Sequence, residues 1–246
     1  MLHFFSKKKF LIDSLEGFVD IHNHILPGID DGAKTVDDSL ELIKSFSDFG
    51  CNSFIATPHI MHNYYPNNIV SITTALDLLK NALTMSNMQD VHLEAAAEHM
   101  IDSNFESILQ NKQVMPLSKF YILIEMSYLQ ASINFDNSVQ LISENRLFPI
   151  LAHPERYVFL HGRRKKYRKY KDQGILFQLN LLSLSDFYGK EVQKSAHKLL
   201  EEDLIDFIAT DVHNMNQINS LKAMRLSNKT LEILEPIIEK TIANFS

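Results

Sequence analysis

The regular alternation of short apolar runs with helical patterns constrains the fold of this chain more than any other feature. Several of the runs are almost continuously apolar, which is typical of parallel strands that are buried on both faces. Strands that alternate with helices predict βα units and a parallel sheet, and seven such units predict a closed or distorted α/β barrel. The seven predicted strands are Phe18–His22, Ser53–His59, His92–Met100, Tyr121–Ser127, Phe148–His153, Leu176–Leu182 and Asp206–His213.

The helix between the first two strands has well-marked boundaries. Thr35 is a favourable N-cap residue, and acidic side chains at 37 and 38 suit the first turn of a helix. Gly50 is a typical residue for the end of that helix. The other predicted helices are Ile69–Met85, Asp136–Arg146, Arg163–Asp172, Lys190–Glu202 and Asn228–Ala243.

The length of 246 residues fits one α/β barrel domain, since such barrels run to about 250 residues. The apolar fraction of 45% is ordinary for a packed core. No linker, repeat or low-complexity tract marks a domain boundary. We therefore predict a single domain over residues 1–246, in which residues 1–17, with the lysine run at 7–9, form a solvated N-terminal arm.

Charge and cysteine content restrict the range of functions. A net charge of −6 argues against general nucleic-acid binding, which requires a basic face. No apolar run is long enough to span a bilayer, and the first residues lack the apolar core of a signal peptide. The single cysteine, Cys51, has no motif around it and is expected to be buried. We expect a cytoplasmic protein without a nucleic-acid partner or an integral membrane segment.

Side chains that bind metal ions collect at the ends of the predicted strands. The first strand ends in His22 and His24, and this spacing places both side chains on one face. The last strand ends in Asp211 and His213 at the same spacing. The other candidates at strand ends are Asp31, His59, Glu98, Glu125 and His153. The carboxyl ends of parallel barrel strands open onto one rim, so these nine groups would meet and suit two or three divalent ions.

Several of these residues also have an ordinary structural explanation. His59 and His153 adjoin prolines and could be loop histidines, and Asp31 could belong to a turn with Asp30. A lone carboxylate in a buried strand is costly, however, so the glutamates at 98 and 125 favour a functional role. The nine candidate residues lie together at six of the seven strand ends, which favours a metal site. Imidazole ligands suit Zn, Mn or Fe.

Six motifs in this chain are similar to those of a known family. They are DIHNHILPGIDDGA at 20–33, IATPH at 55–59, EH at 98–99, LIEMS at 123–127, LAHPERY at 151–157 and ATDVHN at 209–214. The sequence resembles the polymerase and histidinol phosphatase (PHP) superfamily and, more closely, its bacterial capsule-type protein-tyrosine phosphatases. The resemblance implies a distorted (β/α)7, TIM-like barrel, and a site for two to three divalent ions, with manganese favoured and iron or zinc as alternatives.

The same resemblance implies a reaction and a set of roles. The nine strand-end residues would be the metal ligands, and Arg156 would bind phosphate. The substrate would be phosphotyrosine on a partner protein, namely the tail of a bacterial tyrosine autokinase that governs polysaccharide export. Relatives carry a second arginine shortly after the D-x-H motif, whereas this chain reads NMNQINS at 214–220. Either Arg225 or an arginine from 163–168 replaces it, or the site has a single arginine.

The expected mechanism is attack on phosphorus by a metal-bridging hydroxide, since bound metal ions acidify water. Arg156 would neutralise charge on the phosphoryl oxygens, because its planar guanidinium can donate two parallel hydrogen bonds to two phosphate oxygens. The phenolate leaving group has a pKa of about 10 and needs little protonation. A dedicated general acid is therefore optional, and either His213 or a metal-bound water is the candidate proton donor.

Two further features concern the substrate. The run His161–Lys171 is strongly basic, and it is either a solvated helix face or a surface that steers an anionic substrate, with Arg163 and Arg164 as the candidate contacts. Tyr64 could flank the ring of a bound phosphotyrosine, and ordinary loop packing is its alternative explanation.

Three other functions compete with a tyrosine phosphatase. A histidinol-phosphate or other small-molecule phosphatase would use the same metal ions. A catalytically weak regulator that holds a kinase tail would explain the missing arginine. A DNA-processing exonuclease of the same superfamily is disfavoured by the negative net charge. The sequence leaves the oligomeric state open.

Overall fold

The computed structural model describes residues 8–246, in which strands and helices alternate along the chain. The strands are β1 (Lys8–Phe10), β2 (Val19–Asp20), β3 (Ser53–Ala56), β4 (His59–Ile60), β5 (His92–Ala95), β6 (Glu98–Met100), β7 (Tyr121–Glu125), β8 (Phe148–Ala152), β9 (Leu176–Asn180), β10 (Phe207–Ala209) and β11 (Arg225–Ser227). The α-helices are α1 (Val36–Ser47), α2 (Ile69–Met85), α3 (Phe105–Gln110), α4 (Phe135–Glu144), α5 (Arg164–Asp172), α6 (Lys190–Glu201), α7 (Met215–Ala223) and α8 (Asn228–Phe245). The α/β prediction is confirmed.

The strands form two parallel sheets and one antiparallel pair. Six strands lie in the order β10-β9-β8-β7-β6-β4, three lie in the order β2-β3-β5, and β1 pairs with β11. The predicted strand Ser53–His59 is divided at Thr57 and Pro58, because proline has no N–H to donate to a ladder. The predicted strand His92–Met100 is also divided, at Ala96 and Ala97. The ladders among residues 8–246 therefore make no closed ring, and the closed barrel of the prediction is not found.

Several helix boundaries follow from the sequence. The predicted helix Ile69–Met85 coincides with α2. At the start of α1, the Thr35 side chain accepts a hydrogen bond from the Asp38 N–H, and the Asp38 carboxylate accepts one from the Thr35 N–H. The sequence pattern does not predict α3 or α7, which are short. Asn214 is the N-cap of α7, and its side chain accepts hydrogen bonds from two N–H groups of the first turn.

The core lies between the sheets and the helices that cover them. In β7, the consecutive residues Ile122, Leu123 and Ile124 are all fully buried, as expected for a strand covered on both faces. Phe46 of α1 packs edge-on against Phe54 of β3, with ring centroids 5.2 Å apart. Cys51 is fully buried, as predicted.

The predicted N-terminal arm, 1–17, lies partly outside the described residues. From Lys8 onward it contacts the rest of the domain, because β1 pairs with β11 and both Leu11 and Leu15 are fully buried. The side chains of Lys8 and Lys9 are exposed. Among residues 8–246, no helix combines the length and apolar character needed to cross a membrane.

Candidate metal centre and active site

Six of the nine predicted metal ligands line one cleft of about 690 Å³, and the other three, His22, His24 and His153, are buried and share ligand groups with them. The strands place them there because β4, β6 and β7 carry three of the side chains, and the loops after β2, β8 and β10 carry the others. Within each group of candidate ligands, the donor atoms lie within 4.8 Å of one another. The four overlapping groups are His24, Asp31, His59 and His213; His22, His24 and Asp211; His22, Glu98 and His153; and His59, Glu98 and Glu125.

Glu98 lies at the centre of this arrangement and is fully buried. Its Oε2 atom is 3.2 Å from Nε2 of His22 and 3.0 Å from Nδ1 of His59. Its Oε1 atom is 3.0 Å from Nε2 of His153. Glu125 is on the adjacent strand, and its Oε1 atom is 2.9 Å from Nδ1 of His59. A carboxylate that faces separate histidines with its two oxygens can bridge two cations.

Asp211 and His213 close the other side of the cluster. Oδ1 of Asp211 is 3.4 Å from Nε2 of both His22 and His24. The rings of His24 and His213 stack with centroids 3.8 Å apart. Nε2 of His213 is 3.5 Å from Oδ1 of Asp31, whose side chain is half exposed at the mouth of the cleft. Histidines and carboxylates therefore alternate through the cluster.

Side chains behind the cluster fix the orientation of its histidines and acids. Nδ1 of His24 is 2.7 Å from Oδ2 of Asp30, and Nδ1 of His22 is 2.8 Å from Oε1 of Gln178. Asn180 donates a hydrogen bond from Nδ2 to Oδ2 of Asp211 at 2.8 Å. Such outer contacts fix which ring nitrogen faces the ligand position.

The sequence analysis did not single out Gln178 or Asn180. The signal was present, because the two polar residues alternate in the otherwise apolar strand β9 at the same i, i+2 spacing as the two histidines after β2. Both are fully buried, so their side chains require polar partners.

The backbone is constrained at three points of the site. His153 and Asp211 have φ angles of 34° and 52°, in the left-handed region that costs energy for a residue with a Cβ. Gly32 passes so close to the first loop that a Cβ there would lie 2.0 Å from the carbonyl oxygen of His24. Only glycine fits there, and the loop that carries Asp31 can therefore fold back over the cluster.

Burial and mutual charge shift the pKa values of these groups in opposite directions. Burial disfavours the charged form of Glu98, but His22 and His59 hold its pKa well below the usual range. Burial and the neighbouring Glu98 raise the pKa of Glu125. Burial opposes protonation of His59, but the two glutamates raise its pKa well above the usual range. The cluster therefore favours added positive charge, whether from protons or from cations.

His99 lies next to Glu98 in the sequence but has a different role. Its Nδ1 donates to the Leu123 carbonyl at 3.0 Å, and its Nε2 accepts from the Met115 N–H at 3.2 Å. Both ring nitrogens are therefore satisfied by protein groups. Burial lowers the pKa of His99 to about 4, so the ring is neutral at pH 7. It is a structural histidine.

Arg156 lines the cleft beside the cluster and is held on three sides. Nη1 of Arg156 donates to Oδ2 of Asp211 at 2.6 Å. The guanidinium carbon lies 4.5 Å from the ring centroid of Tyr128 and 4.2 Å from that of Tyr188. Oη of Tyr188 in turn accepts a hydrogen bond from Nε2 of Gln217 at 3.1 Å. These contacts fix the plane of the guanidinium.

The other predicted substrate contacts lie in different places. Tyr64 lines the cleft and is 78% exposed. Arg163 and Arg164 line a second cavity, of about 330 Å³, between α5 and α6. Arg225, a candidate replacement for the missing second arginine, has its guanidinium over the ring of Phe10. Among residues 8–246, Arg156 is the one arginine that lines the cleft.

Comparisons with known proteins identify the family of this chain. Residues 18–230 match the family model "Capsular polysaccharide synthesis, CpsB/CapC". The chain is 30% identical over 202 residues to the tyrosine-protein phosphatase YwqE of Bacillus subtilis, an alignment that covers 82% of this chain and 79% of the relative. It is 27% identical over 208 residues to the tyrosine-protein phosphatase CpsB of Streptococcus pneumoniae, with 80% and 84% covered.

A solved structure gives the same result in three dimensions. The chain superposes with a TM-score of 0.78 and 28% identity on a structure from the crystallographic work on YwqE from Bacillus subtilis and CpsB from Streptococcus pneumoniae, described as unique metal-dependent tyrosine phosphatases. The superposition covers 92% of this chain and 90% of that one. Family match, sequence identity and fold agree, and the chain belongs to the CpsB/CapC family of capsular polysaccharide synthesis proteins.

Proposed function

We propose that this protein is a metal-dependent protein-tyrosine phosphatase that hydrolyses phosphotyrosine on a protein of capsular polysaccharide synthesis. One observation carries the proposal: nine histidine and carboxylate side chains form one cluster at the cleft, beside Arg156, the one arginine among residues 8–246 that lines it. This combination suits a phosphate monoester, whose charge both the cations and the arginine would offset. The printed names of the relatives, tyrosine-protein phosphatases, support tyrosine as the leaving group.

The residues present fit divalent cations. His59 Nδ1, Glu98 Oε2 and Glu125 Oε1 are buried without a hydrogen-bond partner, although the histidine nitrogen lies 3.0 Å from the Glu98 oxygen and 2.9 Å from the Glu125 oxygen. Buried polar atoms without partners are costly, and a cation among them would remove that cost. We propose the nine cluster residues as ligands of two to three divalent ions, with manganese favoured. Bound there, such ions would acidify water and offset phosphate charge.

We assign Arg156 to the phosphoryl group. Its side chain is only 18% exposed, and it lines the cleft with its guanidinium between two tyrosine rings. Burial opposes the charged form of Arg156, but the nearby Asp211 carboxylate outweighs it and raises the pKa of the guanidinium further above its usual range. A fixed, fully charged fork of N–H donors suits two phosphoryl oxygens at once.

We assign His213 to the leaving-group side of the cleft as the candidate proton donor, besides its place among the ligands. Its Nδ1 donates to the carbonyl of Asp211 at 3.0 Å, so Nε2 faces the cleft and can hold a proton or a cation. Tyr64, exposed at the mouth, would pack against the substrate ring. Tyr65 already stacks on His59 with an interplanar angle of 15°, which makes this wall of the cleft aromatic.

We further propose that the two parallel sheets are parts of one distorted seven-unit barrel within a single domain. Each divided strand contributes to both sheets, and the loop after β2 forms a parallel bridge, Asn23 to Val212, with the segment after β10.

In the cell, we propose that the substrate is the phosphorylated tail of a bacterial tyrosine kinase and that the protein acts in the cytoplasm. The family's link to capsular polysaccharide synthesis supports this partner.

The test is release of phosphate from a phosphotyrosine peptide by manganese-loaded protein. Histidinol phosphate is assayed in parallel, together with protein treated with a chelator and then reloaded with metal. We expect metal-dependent turnover of the peptide and little turnover of histidinol phosphate.

Two other outcomes would overturn the proposal in different ways. Faster turnover of histidinol phosphate would retain the metal centre but replace the substrate. Bound metal without turnover of either compound would favour a regulator that holds the phosphorylated tail.

A further inference from the structure

A groove of about 560 Å³ continues from the mouth of the cleft. Met100, Asp102 and Ser127 line both the cleft and the groove, so the two form one connected surface. The groove runs between the segment 100–106 and the loop 127–134, which joins β7 to α4. It contains none of the proposed metal ligands.

Hydrogen bonds hold the two walls of the groove together. Oγ of Ser132 donates to the carbonyl of Ile101 at 2.6 Å. Nδ2 of Asn134 donates to the carbonyl of Asp102 at 3.3 Å and to Oε1 of Glu106 at 3.1 Å. The groove therefore has a defined shape without a ligand, which lowers the entropic cost of binding.

The loop 127–134 exposes large apolar side chains beside the cleft. Ile133 lines the groove and is fully exposed, and Leu129 is 78% exposed. Single exposed apolar residues are ordinary, but two in one short loop next to a proposed active site indicate a contact surface. The same loop carries Tyr128, which covers one face of Arg156. A ligand on this loop would therefore touch both the phosphate site and the groove.

The charge of the groove restricts what it can bind. Asp102 and Glu106 are its two carboxylates, and among the described residues no lysine or arginine nitrogen lies within 4.0 Å of either. Their hydrogen-bond partners are neutral groups, such as the His62 N–H and the Asn137 amide. An acidic side chain would be repelled here, whereas an apolar one would gain contact with Ile133.

We propose that this groove binds the substrate polypeptide next to the phosphotyrosine, with an apolar, non-acidic side chain against Ile133. This inference rests on the proposed phosphatase function and adds a determinant of substrate choice. A phosphotyrosine held by Arg156 must carry its main chain out through the mouth of the cleft, where the groove begins. The groove thus separates protein substrates from small phosphate esters, which end inside the cleft.

The experiment compares Ile133→Ser with wild-type protein on three substrates: free phosphotyrosine, a phosphotyrosine peptide flanked by leucines, and the same peptide flanked by aspartates. Met85→Ser is the matched control, because Met85 is 84% exposed at the end of α2 and lines neither the cleft nor the groove. We expect Ile133→Ser to lower kcat/KM for the leucine peptide about five-fold through KM, as for the partial loss of one apolar contact. Turnover of free phosphotyrosine and the thermal midpoint should not change.

The possible results separate the groove from the proposed function. Wild-type turnover of free phosphotyrosine tests the function, and the ratio of peptide to free phosphotyrosine tests the groove. An unchanged kcat/KM for the leucine peptide in Ile133→Ser would overturn the proposal that the groove binds the substrate polypeptide. An equal loss on free phosphotyrosine would also overturn it, because the substitution would then act on the reaction site. A wild-type preference for the aspartate peptide would contradict the assigned chemistry.

Discussion

The cleft and the cavity between α5 and α6 hold opposite charges in opposite surroundings. In the cleft, carboxylates such as Glu98 are fully buried and lie 3.0 to 3.2 Å from histidines. In the α5–α6 cavity, the cations Arg163 and Arg164 are exposed, and Arg164 pairs with Glu202 at 2.7 Å. Buried groups without partners require a ligand, whereas exposed charges are already solvated. Substitutions in the two regions should therefore differ greatly in effect.

The largest effect is expected for Glu98→Gln, which removes the carboxylate shared by two of the four ligand groups. We expect bound metal and phosphatase activity to fall by more than the roughly 10–100-fold typical of residues that only orient ligands. Metal at about 100 times its Kd should stabilise wild-type protein by about 2.7 kcal/mol and the variant far less. Metal analysis and thermal midpoints with and without manganese measure both effects.

His99→Gln is the matched control for that substitution, because His99 is the buried neighbour of Glu98 and has protein partners for both ring nitrogens. It should lose stability but keep its metal. Loss of metal in His99→Gln, or full metal content in Glu98→Gln, would contradict the assignment of the cluster.

The nine candidate ligands could be predicted because their positions depend on few features of the fold. Each lies at the end of a predicted parallel strand or in the loop that follows it, and parallel strands bring such ends to one rim. His22 and His24 needed only the alternation of side chains along a strand. The division of two strands at 57–58 and 96–97 did not disturb this, because the halves still pair in parallel, β3 with β5 and β4 with β6.

The rest of the site could not be predicted, because it depends on how loops pack. Tyr128 and Tyr188 approach Arg156 from two loops that are 60 residues apart in the sequence. The spacing of residues in the sequence does not predict contacts between two distant loops. The basic run at 161–171 was evident from composition, but two of its three arginines, Arg163 and Arg164, line the α5–α6 cavity because of where α6 packs. A run of charged residues predicts that the side chains are exposed, but it does not predict which part of the surface they occupy.

A smaller but still large effect is expected for Arg156→Ala. Removing one preorganised donor to a developing charge typically lowers kcat by roughly 10²–10³-fold. Metal content should not change, because the Arg156 side chain bonds to Asp211 and its backbone bond to His153 is kept in the variant. Arg156→Lys should recover little activity, since a lysine lacks the planar fork. Loss of metal in Arg156→Ala would assign the arginine to the support of the cluster instead.

An effect of intermediate size on activity is expected for the tyrosines that pack against the Arg156 guanidinium, Tyr128 and Tyr188. Tyr188→Leu removes the ring 4.2 Å from the guanidinium, a contact worth about 0.5–2 kcal/mol. We expect KM for phosphotyrosine to rise several-fold, with a smaller change in kcat. Tyr188→Phe keeps the ring and should stay close to wild type. Equal losses in the two variants would indicate that the hydroxyl, which accepts from Gln217, is the important group.

The smallest effect is expected in the α5–α6 cavity. In the double variant Arg163→Ala with Arg164→Ala, kcat/KM for an acidic phosphopeptide should fall a few-fold at low salt and match wild type at high salt, because long-range attraction between exposed charges is screened.

Arg168→Ala is the control variant, because it removes a charge from the same helix at a residue that does not line the cavity. If steering by the overall field operates, Arg168→Ala should cost about half as much as the double variant. If the cavity itself binds the substrate, only the double variant should lose activity, and part of that loss should persist at high salt. No loss at any salt concentration would leave α5 as a solvated face and confine substrate recognition to the cleft and its groove.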